Sequence, residues 1–109
     1  RQIPDVFVLQ AATSETIFDL SDSEVKMIVS SIKYPEKAKM KQIGGVVTLD
    51  EVVEPNGKVV TAKAVNTIRG APDLSMEAER LIKAFGKFSK GVKTPDGNTT
   101  IQVSIRFVP

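Results

Sequence analysis

The chain has 109 residues, 41% of them hydrophobic and 26% charged, the composition of one globular domain and not of a disordered segment. Its formal net charge of +2 makes no electrostatic case for nucleic-acid binding. With no cysteine and no histidine, the usual zinc sites, thiol nucleophiles and histidine acid–base chemistry are excluded together, and neither a metal nor a cofactor is expected.

No apolar run approaches the roughly 20 residues that cross a bilayer. The chain opens on Arg1 and not on methionine, and reads as a piece of a longer protein whose targeting sequence lies elsewhere. Its lack of cysteine leaves the compartment open. Residues 1–109 read as a single unit, with 1–20 an N-terminal extension and 21–109 the core.

The first β-prone stretch is Asp5-Val6-Phe7-Val8-Leu9, with no obvious neighbour in the local sequence. Small polar residues from Ala11 to Thr16 then interrupt the pattern. Ser21 and Glu24 form a capping-box pair, and Val25, Ile28, Val29 and Ile32 follow at helical spacing, predicting a helix over 22–33. Tyr34 precedes a proline, which biases it to extended geometry and ends that helix. Pro35 suits the first turn of a short helix over 35–41.

Val46 to Val53 is the strongest β-prone run. Pro55-Asn56-Gly57 supplies a preset φ and then residues tolerant of positive φ, predicting a hairpin into 58–67. Asp73 and Ser75 compete as N-caps of the next helix. Leu74, Ala78, Leu81, Ile82 and Phe85 share one face of it, Glu77, Glu79, Arg80 and Lys83 lie mostly on the others, and Gly86 ends it. Pro95-Asp96-Gly97-Asn98 is a turn. In the strand 99–107, Ile101, Val103, Ile105 and Phe107 alternate with polar residues, so one face packs on helices and the other meets water. The fold class is α+β: a two-layer sandwich of a small antiparallel sheet, three to four strands, with two to three helices on one face.

Chemistry-bearing clusters are sparse. Ser21, Ser23 and Ser75 look like caps, since no histidine can activate them, and Ser89-Lys90, near a loop, is a formal serine–lysine pair. Alternation sends Asp50 and Glu54 to the face opposite Glu51, which argues against a three-carboxylate metal site. Glu51 shares a row with Val47, Leu49 and Val53. There a carboxylate must be paired, sit at a wet strand end or be re-aimed by a bulge. Lys33, Lys37, Lys39 and Lys41 make a basic cluster around the Tyr-Pro turn, and such a run is usually a solvated helix face.

In order and spacing the chain resembles the C-terminal domain of TonB, the bacterial outer-membrane energy transducer. The residues that carry the resemblance are Ile32-Lys33-Tyr34-Pro35 with Ala38, Gly45-x-Val47-x-Leu49, Val52-Val53, Asn56-Gly57, Leu74-x-x-Glu77-Ala78, and Phe88 before Gly91. Asp5-Val6-Phe7-Val8 ahead of a helix looks like the form common in Bacteroidetes. Three features depart from the family: Glu51 lies where the family's first strand usually carries an inward aromatic, Lys87-Phe88-Ser89-Lys90 replaces a tryptophan-and-proline segment, and Phe18-Asp19-Leu20-Ser21 replaces a Pro- and Gly-rich one.

The resemblance implies a non-enzymatic periplasmic domain. It would bind the extended N-terminal segment, the TonB box, of TonB-dependent outer-membrane receptors by β-strand addition, and transmit force for active uptake. The implied contact strand is Thr99, Thr100, Ile101, Gln102, Val103, Ser104, Ile105, Arg106 and Phe107, with Lys33 and Tyr34 beside it. An inner-membrane helix outside this chain would tether the domain to ExbB- and ExbD-like motor proteins. Residues 5–9 are expected either to pair with the last strand and compete with the receptor segment, or to be a permanent extra strand. The alternatives are a sensing module of a membrane-bound regulator or peptidase, and an assembly role in which exposed edges pair into a homodimer.

Overall fold

A computed structural model describes residues 3–11, 20–88 and 97–109. Seven elements follow in chain order: β1 (Asp5–Ala11), α1 (Asp22–Ser30), α2 (Glu36–Met40), β2 (Gly45–Val53), β3 (Val59–Ala64), α3 (Asp73–Phe85) and β4 (Thr99–Phe107). The four strands form one antiparallel sheet in the order β1-β4-β2-β3. α3 packs on β2 and β3, and α1 packs on β1 and α3. This is the expected α+β sandwich, with four strands and three helices among the described residues.

The core follows the strand periodicity. Val47, Leu49 and Val53 of β2 and Ile101, Val103, Ile105 and Phe107 of β4 are each at most 1% exposed. They meet Leu74, Ala78, Leu81 and Ile82 of α3, Ile28 of α1 and Val6 of β1. On the opposite face Thr100 and Val46 are exposed, so that side of the sheet is wet.

α1 starts as its capping box dictates: the Glu24 N–H donates to Ser21 Oγ and the Ser21 N–H to Glu24 Oε1 at 3.1 Å. It stops at Ser30, three residues before the expected end. There Ser30 and Ser31 hydroxyls both donate to the Met27 carbonyl, and the Ser31 N–H donates to Ile28 O, tightening the last turn. α2 follows Pro35 as expected, one residue shorter at each end.

The β2–β3 hairpin turns at Gly57, φ +92°, and its N–H donates to Glu54 O at 2.8 Å. A Cβ there would also sit 2.3 Å from the Phe88 carbonyl oxygen, so glycine is required for conformation and for space. β3 ends at Ala64, short of the predicted Thr67. The reason is Asn66, whose Oδ1 accepts the Thr48 N–H at 2.7 Å while its Nδ2 donates to Val46 O at 3.0 Å. A side-chain amide continues the pairing of β2 where the backbone leaves it.

Neither expected cap holds at α3. The residue before the helix is Pro72, with no side-chain cap. Main-chain bonds from Leu74 to Ala71 O and from Ser75 to Pro72 O open the helix, and Ser75 Oγ donates instead to Asn66 O at 2.7 Å. Asp73 lies in the first turn, where its charge suits the helix dipole. Gly86, φ +77°, ends the helix as predicted.

Candidate functional site

β4 is the element on which the sequence argument converges, and in the folded domain it is a central strand. On one side it pairs with β2 along its whole length, Gly45 opposite Phe107 through Val53 opposite Thr99. On the other it pairs with β1, from Asp5 opposite Arg106 to Ala11 opposite Ile101. The expected segment 5–9 thus does lie along the last strand, paired with it at residues 5–8. β1 spans only the middle of β4: Thr99, Thr100 and Phe107 have strand partners on the β2 side alone, among the described residues.

β1 is held by modest means. Its register with β4 breaks between Val8 and Gln10, a bulge at Leu9. Val6, opposite Ile105, is 2% exposed, and Val8, opposite Val103, is partly buried. Between them Phe7 emerges on the wet face opposite Ser104, its ring centroid 5.6 Å from the Arg106 guanidinium. Alternation decides this arrangement, because a period of two sends positions 6 and 8 to the core and 5 and 7 outward.

The polar residues of β4 are bound largely within the sheet. Ser104 Oγ lies 2.8 Å from Thr48 Oγ1, and Gln102 Nε2 donates to Asp50 Oδ1 at 3.0 Å. Tyr34 stands at the C-terminal end of β4, its ring edge-on to Phe107 at 6.1 Å and beneath Lys39 Nζ at 5.6 Å. Its hydroxyl donates to the Ile43 carbonyl, and burial raises its pKa. Lys33 is exposed, and its N–H donates to Glu77 Oε2 at 2.6 Å. Tyr34 therefore joins the β4 end, while Lys33 is tied by its backbone to α3.

Two buried carboxylates depart from the sequence expectation. Glu77 is only 7% exposed: it accepts from the Lys33 N–H and pairs with Arg80 at 2.7 Å, and Arg80 also donates to Ser31 O at 3.0 Å. This cluster clamps the α1–α2 connection onto α3, and only the i,i+3 spacing of Glu77 and Arg80 hinted at it. Glu51 is 0% exposed, between Ile101 of β4 and Ala62 of β3, and neither of its oxygens has a hydrogen-bond partner among the described residues. It is not paired, not at a wet strand end and not turned away by a bulge, since the β2–β3 irregularity falls beyond it at Val52 and Val53. Burial alone pushes its pKa up to about 8.

Ser21 and Ser23 hydroxyls lie 3.1 Å apart at the α1 cap, and no group of three His, Cys, Asp or Glu is placed to hold a metal among the described residues. The Ser89-Lys90 pair and the first half of the Pro95–Asn98 turn, Pro95 and Asp96, lie outside the described residues.

The family model of the Gram-negative bacterial TonB protein C-terminal matches residues 30–109. It covers well over half of the chain, and the chain belongs to that family. The match takes in α2, β2, β3, α3 and β4, and leaves out β1 and nearly all of α1. No curated protein and no solved structure matches the chain. The family is one of periplasmic protein-interaction domains serving energy transduction and transport.

Proposed function

We propose that this domain is the gripping end of a TonB-type energy transducer, taking the extended N-terminal segment of an outer-membrane receptor as an added strand on β4. The observation that carries the reading is topological. Within the family-matched residues the sheet is three-stranded, β4-β2-β3, and β4 is its outermost strand. The strand on its free side, β1, comes from outside the match. The other outer strand, β3, is blunted by α3: Glu79 Oε2 accepts the Ala64 N–H at 2.8 Å and Gly86 O accepts the Val59 N–H at 2.8 Å.

Strand addition suits a pulling function. Main-chain bonds along the strand give affinity, and the alternating pockets of the core face give preference. A pull along the strand axis loads those bonds together in shear. The pull would originate in ExbB- and ExbD-like motor proteins, reached through a membrane-anchored region outside this chain. No helix among the described residues is long and apolar enough to cross a membrane.

The test is an NMR titration of the domain with receptor N-terminal peptides from the same organism, with scrambled peptides as control. Saturable amide shifts concentrated in 99–107 are expected. Saturable shifts confined to another surface would refute the β4 assignment, and silence from every peptide, on the domain and equally on a variant lacking residues 1–10, would refute receptor binding.

A further inference from the structure

β1 shows what the β4 edge accepts, because it already occupies that edge as a strand. Resting on the receptor-binding reading, we propose that β1 is an internal surrogate for the receptor segment. It closes the edge in the resting domain, and its own side-chain pattern describes the peptides that replace it.

Three observations support the exchange. β1 is supplied from outside the family-matched residues, which contribute the other three strands of the sheet, β4-β2-β3. Its pairing is one-sided and interrupted at Leu9, whereas β2 follows β4 through all nine residues. Finally, Thr99 and Thr100 at one end of β4, and Phe107 at the other, extend beyond β1. An incoming strand can pair there first and peel β1 away bond by bond, so no state with a wholly bare edge is needed.

The pattern to be matched is Val6-Phe7-Val8. Branched aliphatic residues two positions apart enter the core opposite Ile105 and Val103, and a flat side chain between them lies against Arg106. The edge therefore selects an extended aliphatic–aromatic–aliphatic segment. A ligand competing with a tethered strand binds with an affinity reduced by the fraction of domains whose edge is open. Mutations that weaken β1 alone should tighten ligand binding.

The natural absence of cysteine permits a clean lock in the full chain. Phe7→Cys with Ser104→Cys places two thiols on directly opposed residues, within the span of a disulfide. The opening variant is Val6→Lys, which removes the most buried side chain described in β1. The probes are a labelled peptide of residues 3–11 with a scrambled control, and the receptor peptides. Both are expected to be excluded by the oxidised lock, admitted after reduction, and bound at least ~10-fold more tightly by Val6→Lys than by the unmodified chain. Receptor peptides that bind the oxidised lock as well as the reduced form would overturn the surrogate role and leave receptor binding intact. So would unchanged affinity in Val6→Lys, and if that variant does not fold the lock decides alone. A self-peptide that behaves as expected beside receptor peptides silent even on Val6→Lys would support occupancy by β1 and refute the receptor reading.

Discussion

Replacing Glu51 with leucine should stabilise the domain, and by a margin that widens as pH rises. The carboxyl is 0% exposed, flanked by Ile101 and Ala62 and without a hydrogen-bond partner among the described residues. In the folded chain it keeps its proton to about pH 8, against 4.5 for the free side chain. Between these values the folded state binds more protons than the unfolded one, so stability is highest at the acid end and is lost as pH rises through 8. At about 1.4 kcal/mol per pH unit, the loss by pH 7 is about 3 kcal/mol. Leucine abolishes this slope and also relieves a buried polar group of about 1–3 kcal/mol of unrecovered solvation, an advantage that persists at acid pH. Glu51→Gln abolishes only the slope. Urea unfolding of the three proteins at pH 5, 6, 7 and 8 measures both effects, with the variants cancelling the titration of every other group. Parallel stability profiles for the unmodified chain and Glu51→Leu across that range would refute the reasoning, because a pH-independent difference means the carboxyl is solvated or paired.

Gly57→Ala should lower stability by about 2 kcal/mol or more in thermal melts, since the new Cβ meets the Phe88 carbonyl and φ is +92°. Arg80→Ala leaves the buried Glu77 with only the Lys33 amide among the described residues and should cost about 1–3 kcal/mol. Adding Glu77→Ala to it should cost less than the sum of the two single changes, as a double-mutant cycle would measure. Tyr34→Phe loses the bond to Ile43 O, about 1 kcal/mol, and keeps the ring on Phe107. Because the Tyr34 hydroxyl is already engaged within the protein, peptide affinity measured by titration should stay unchanged.

The parts of the fold legible in the sequence are those set by short-range periodicity and steric rules. Alternation from Ile101 to Phe107 identified the core face of β4, Ser21 with Glu24 marked the start of α1, and Gly57 marked the hairpin. Where tertiary partners compete for a polar side chain, local rules failed. Ser75 had the chemistry of a cap but spends its hydroxyl on Asn66, and Asn66 ends β3 by bonding across to β2. Glu77 sat on a face that helical periodicity assigns to solvent, and it is buried because Lys33 and Arg80 converge on it. The candidate site was legible as a strand and only half legible as an edge. Which strand neighbours β4 depends on contacts nearly a hundred residues apart, and the sequence of β1 allowed both a partner and a bystander.

Amide hydrogen exchange on the full chain, with and without a saturating receptor peptide, tests the central claim most directly. If the receptor segment takes the place of β1 on β4, amides of 5–11 should lose protection on binding while those of 101–106 remain protected or gain. Continued protection of 5–11, with new protection along 59–64 of β3, would place the ligand on the opposite side of the sheet and contradict the account.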